Sequence, residues 1–138
     1  MNKPIENINV RGRFLGVFVL VIVQFFVGVI HIFFGLSMLL GNFSIASYSI
    51  TPTIYSGYTL VYGCLTFVFT YFVWTGKRLG WIGTAAVSLF VIIADTLAAS
   101  SLFDVLGIPR IAGLGEIPYS IVILIYLLQN HVRLKYSI

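Results

Sequence analysis

The sequence predicts an all-α polytopic membrane protein: four transmembrane helices in an antiparallel bundle, with both termini cytoplasmic. Three observations carry that prediction. Of 138 residues, 59% are hydrophobic and only 9% charged, whereas soluble domains run at about 45–50% apolar and about 25% charged. Mean hydropathy is +1.05. The few basic residues also cluster in alternate connecting segments. A water-soluble globular protein is thereby excluded, and a chain of this length has room for one domain whose solvent is the bilayer.

The N-terminal segment, 1–13, carries Lys3, Arg11 and Arg13 and is expected in the cytoplasm. Residues 14–76 then contain no Asp, Glu, Lys or Arg, enough for two crossings of about 20 apolar residues each. Gly41 and Asn42, followed by Ser44, Ser47, Ser49, Thr51, Pro52 and Thr53, form a turn-rich polar cluster. It divides the run into a first span at 14–40 and a second at 55–74. The first is too long for the apolar region of a signal peptide and no small-residue cleavage site follows, so it is expected to stay attached. Asn42-Phe43-Ser44 matches the glycosylation sequon but lies too close to the helix end to be modified.

Lys77 and Arg78 make a short basic turn before a third span at 79–103, interrupted only by Asp95. The fourth span, 111–130, is the least regular. Glu116 and Pro118 fall in its first turns, and its start lies anywhere between Ile111 and Pro118. A proline is tolerated there, at the first helical position or at a kink where neighbours satisfy the freed carbonyl. The tail, 131–138, adds Arg133 and Lys135, whereas the opposite segments hold Arg110 alone. Because cytoplasmic loops carry the excess of Lys and Arg, this alternation places both termini inside. Trp74, Trp81 and Tyr136 fall at the same predicted interface, where amphipathic rings prefer to lie.

Ionisable groups within spans are costly and need a partner or a wet cavity. His31 lies about 26 Å along the first span and Asp95 about 24 Å along the third, at 1.5 Å per residue, so both belong to the outer half. Each sits on a small or polar stripe. Gln24, Gly28, His31 and Gly35 share a face of the first helix; Thr59, Gly63, Thr66 and Thr70 share one of the second; Thr84, Ser88, Val91 and Asp95 share one of the third. Small residues allow close helix approach in lipid, and hydroxyl and amide groups bond across the contact. The candidate intramembrane site is therefore His31 and Asp95 with Gln24, Ser88 and Thr66. A His31–Asp95 pair would serve as a proton relay or substrate site, but one hydrogen bond gluing two helices satisfies the same residues and is the simpler expectation.

Asp104, Arg110 and Glu116 form a candidate outer rim, more simply read as solvated charges. The lone Cys64 excludes an internal disulfide, a CxxC pair and a cysteine-built zinc site, and packs most simply as a small hydrophobe. No metal or cofactor is called for. His31 and His131 lie at opposite ends of the membrane and cannot ligate one haem iron within a single chain. A net charge of +4, scattered, leaves no nucleic-acid footprint. No nucleophile–base set and no phosphate loop is legible, so no enzyme is expected.

The stretch Tyr71-Phe72-Val73-Trp74-Thr75-Gly76-Lys77-Arg78-Leu79-Gly80-Trp81, followed by Tyr126-Leu127-Leu128-Gln129-Asn130-His131-Val132-Arg133, resembles small four-helix membrane proteins of archaea and bacteria. In those an aromatic-Gly-basic-Trp turn joins the middle helices. The resemblance covers about the second half of the chain and implies a four-helix fold but no activity. Small multidrug transporters fit less well, since the first span here has no acid. Vitamin K epoxide reductases need cysteine pairs, claudins a Trp-Gly-Leu-Trp motif, and membrane glutathione transferases arginines within helices. The expectation is a non-catalytic membrane component whose partners are the lipid bilayer and copies of itself or other membrane subunits. The alternatives are a proton-linked carrier or channel-like protein using Asp95 and His31, and a haem- or quinone-binding subunit of a redox complex.

Overall fold

The computed structural model describes residues 5–40, 52–100 and 110–138, with side chains from 15–40, 54–100 and 113–138. All regular structure among them is helical: α1 (Ile5–Leu39), α2 (Pro52–Trp74), α3 (Arg78–Ala99), α4 (Arg110–Leu127) and a short α5 (Asn130–Lys135). Three stretches are long and apolar enough to cross a membrane: Leu15–Leu39, Ile54–Trp74 and Arg78–Ala99. A fourth apolar stretch, Gly113–Leu127, is shorter. Residues 41–51, which hold the sequon and most of the polar cluster, and Asp104 lie outside the described residues.

The first helix begins at Ile5, not at residue 14. Nothing between Ile5 and Arg13 breaks a helix, since neither Pro nor a turn pair intervenes before Gly12, so the expected leading segment continues the same rod. In α2, Pro52 takes the first helical position, where a missing N–H costs nothing. The helix ends because Gly76, at φ +70, enters the left-handed region. There Lys77 N–H donates to Phe72 O and Gly76 N–H to Val73 O, the paired bonds of a Schellman stop. The fourth helix begins early, at Arg110, and runs through Pro118.

Contacts follow the small-residue stripes. A Cβ on Gly63 would stand 2.9 Å from the Ile32 backbone N and 3.0 Å from Gly28 O, and one on Gly35 would stand 3.0 Å from Leu60 N. The α1 and α2 backbones therefore touch along the faces the spacing predicts. Register falls on one helix as it rises on the next: Gly28 meets Gly63 and Phe67, whereas Gly35 meets Leu60. Gly83 similarly faces Phe69, and Gly113 faces Asp95. Side chains close the ring between α1 and α4, where the Tyr126 ring lies over Gly16.

The tail is folded. Turning at Gln129, α5 presses Val132 and Tyr136 into a cluster with Val17, Leu20, Val73, Ile123 and Leu127. Tyr136 is 2% exposed, and its hydroxyl donates to Val73 O at 2.9 Å. The sequence places Tyr136 among interfacial aromatics; it is instead a core residue, because the carbonyl at the α2 stop gives its hydroxyl a buried acceptor. Trp81 Nε1 donates to Leu127 O at 2.9 Å, which satisfies a carbonyl at the end of α4.

Candidate functional site: a half-buried imidazole and two carboxyls

His31 on α1 is held at both ring nitrogens. Nδ1 lies 2.7 Å from Val27 O and Nε2 lies 3.1 Å from Glu116 Oε1 on α4. A carbonyl only accepts, so Nδ1 carries a proton and donates to Val27. The second contact holds one further proton, on Nε2 facing a carboxylate or on Glu116 facing a neutral ring. In either arrangement the two side chains together are electrically neutral. The Tyr62 ring of α2 stands edge-on to the imidazole with centroids 4.6 Å apart, and Tyr58 stacks on Tyr62.

Asp95 on α3 is fully buried. Neither of its carboxyl oxygens has a hydrogen-bond partner among the described residues; the second oxygen of Glu116 and the Tyr58 hydroxyl are likewise buried and unbonded. Asp95 lies close enough to His31, Glu116 and Tyr58 for their charges and dipoles to interact. The hydrogen bond from His31 nevertheless goes to Glu116 and not to Asp95, the partner the depth argument favours.

A second polar group lies farther along the bundle, toward the basic end. Gln24, Tyr62, Thr66, Thr84, Ser88 and Tyr119, with Phe69, Val87 and Ile123, line a cavity no larger than a water molecule. Gln24 Oε1, Thr84 Oγ1 and the Tyr119 hydroxyl are buried there without partners. The structure thus brings Gln24, Thr66 and Ser88 together, as the matching stripes predict, and places His31 and Asp95 above them. Glu116 leaves the expected rim for the interior. Arg110 opens α4, but its side chain, like all of Asp104, lies outside the described residues. His131 stands at the far end beside the Tyr126 ring. An axial-ligand role for His31 would require giving up its contact with Glu116.

Sequence reasoning missed Glu116, Tyr58 and Tyr62 as neighbours of His31 and Asp95, and Tyr119 as a wall of the polar cavity. The clue was present. Glu116, Ser120, Ile123 and Leu127 repeat the four-three-four spacing of the other stripes, and Ser120, Ile123 and Leu127 are all buried. Reading Glu116 with the outer rim hid that face. No protein-family model matches the chain, and neither a curated protein nor a solved structure matches it.

Proposed function

We propose that this chain is a non-catalytic four-span membrane protein, both termini cytoplasmic, that works by packing in the bilayer with copies of itself or with other membrane subunits. The observation that carries the reading is its inverted polarity. Gln24, Thr59, Thr66, Thr84, Ser88, Asp95 and Ser120 are buried, while Phe18, Phe26, Phe33, Phe90, Leu114 and Val122 face outward. That arrangement suits a surface whose surroundings are hydrocarbon. Lys77, Arg78, Arg133 and Lys135 share one end with the N-terminal basic residues, which supports a cytoplasmic assignment for that end. The fourth span is short, and Arg110 marks its outer end. Purification from the native membrane into nanodiscs, with mass recorded on the intact particle, tests the reading: a homo-oligomer or stoichiometric foreign subunits are expected, and a stable solitary monomer overturns it.

One observation favours a second reading, a proton-linked carrier for a small solute. Polar side chains run from Asp95, His31 and Glu116 through Gln24, Thr66 and Ser88 toward an apolar plug of Val17, Leu20, Val73, Ile123 and Leu127. Such a column, open to polar chemistry at one end and sealed at the other, supports access from one side at a time. Proton flux into reconstituted vesicles that falls to background with Asp95→Asn is the expected result. Unchanged flux in that variant ends the carrier reading.

A further inference from the structure

We propose that Asp95, the free oxygen of Glu116 and the Tyr58 hydroxyl form a site for one exchangeable monovalent positive charge, a proton or a sodium ion. The argument is one of charge and bonding. The spans hold two carboxyls, Asp95 and Glu116, and one imidazole, His31. His31 and Glu116 already balance each other through the 3.1 Å contact, so among the described side chains no further cation is left to compensate Asp95. The cations whose side chains are described, Lys77, Arg78, Arg133 and Lys135, lie at the other end of the bundle; the side chain of Arg110, at the start of α4, lies outside the described residues. An ionised carboxylate buried in hydrocarbon, with the Tyr58 hydroxyl nearby but no counter-charge among the described side chains, is costly, so a positive charge is expected to accompany it.

The surroundings offer oxygen ligands. Four oxygens are buried and without hydrogen-bond partners among the described residues: both of Asp95, Oε2 of Glu116 and the Tyr58 hydroxyl. Beside Asp95 stands Gly113, where even a Cβ would come within 3.3 Å of the aspartate Cβ. The titratable groups that bear on Asp95 are His31 from α1, Tyr55, Tyr58 and Tyr62 from α2, and Glu116 from α4. Oxygen ligands of this kind suit a proton or a hard monovalent ion equally. Exchange balances simply: as sodium binds the Asp95 carboxylate, the carboxylic proton leaves to water. The inference goes beyond both functional readings, because it concerns binding at equilibrium and holds whether or not any solute crosses.

Infrared difference spectroscopy on the full chain in nanodiscs tests it, with carboxyl-labelled aspartate to mark Asp95 and Asp104, the two aspartates of the sequence, and Asp104→Asn to remove the second. A labelled carboxylic-acid band is expected in mildly acidic buffer. Loss of that band as the buffer is made alkaline, with no response to sodium, identifies a proton site. Loss on adding sodium chloride at fixed pH, but not on adding N-methylglucamine chloride, identifies a sodium site. Glu116→Gln should move the midpoint, whereas Asp95→Asn should abolish the response. A band that persists through both titrations means a permanently neutral acid and overturns the proposal, as does a carboxylate that responds to neither. The titrations of Asp104→Asn decide the matter even if the Asp95 and Glu116 variants fail to fold.

Discussion

The two ends of the bundle are built from the same four helices but by different physics. At the basic end, Val17, Val73, Leu127, Val132 and Tyr136 are buried together, and the polar groups that hold them find acceptors: Tyr136 on Val73 O, Trp81 on Leu127 O. At the opposite end, one imidazole contact joins α1 to α4, and beside it the Asp95 carboxyl and the Tyr58 hydroxyl are buried without hydrogen bonds among the described residues. Burial of apolar groups and satisfied carbonyls fixes a single packing at the first end. A half-satisfied polar cluster leaves the second sensitive to protonation and to ions. The contrast assigns stability to the tail cap and chemistry to the His31–Glu116–Asp95 cluster.

The contrast is broken most directly by Tyr136→Ala. Removing a fully buried aromatic leaves a cavity at the cap and should cost about 3–5 kcal/mol, read as a large drop in unfolding midpoint in detergent or nanodiscs. A loss no larger than that of an exposed α5 residue such as Leu134, which is 76% exposed, would show that the tail is not part of the core. Next in size is Glu116→Ala, which strands the His31 ring and should cost about 1–3 kcal/mol. Glu116→Gln can still meet the ring nitrogen and should cost less. Equal losses for the two variants would mean that the contact contributes nothing beyond packing.

A third test uses pH at the stable end. Burial, and after it the nearby Tyr126 hydroxyl, pushes the Tyr136 phenol up from its ordinary 10.0 to about 12. The docked cap therefore favours the neutral phenol. Its contribution is complete below the unfolded value of 10.0 and is lost as pH rises through about 12. Tyr136→Phe keeps the ring and removes the titration. Because Val73 O still accepts from Gly76 N–H at 3.1 Å, the variant should lose only about 0.5–1.5 kcal/mol near neutrality. Its stability should also fall less steeply in alkali. An identical alkaline profile would place the titrating group elsewhere.

Much of this was legible from residues alone. The face shared by Gln24, Gly28, His31 and Gly35 did meet the face carrying Gly63 and Thr66, because small residues at helical spacing make close backbone contact the best packing available in lipid. The break at Gly76 and the gathering of Gln24, Thr66 and Ser88 followed from the same local rules. What sequence could not supply was the choice between partners. Depth along a helix puts His31 level with Asp95, but the rotation of α4 about its own axis, which depth does not fix, delivers Glu116 to the ring. The folded tail escaped for a related reason: Arg133 and Lys135 mark the segment as polar, while Val132 and Tyr136 reveal a buried side only once the end of α2 is known to offer a carbonyl.

The smallest predicted effect lies at the last turn of the chain and bears on whether the cap is a defined structure. After α5, Ile138 N–H donates to Arg133 O at 3.0 Å and Ser137 N–H to Leu134 O at 3.3 Å, repeating the Schellman pattern seen at Gly76. Here the left-handed position is filled by Ser137, at φ 56, where a Cβ crowds the following carbonyl at a cost of about 1–2 kcal/mol. Ser137→Gly relieves that crowding but gives the unfolded chain more freedom to lose, so the net gain should be about 0.5 kcal/mol. A slightly higher unfolding midpoint, with slower amide exchange at Ser137 and Ile138, would show that the turn terminates a helix held in place. No gain, or faster exchange, would mean that the tail is not constrained to that backbone angle, and the sharp division between a fixed end and a responsive end would weaken accordingly.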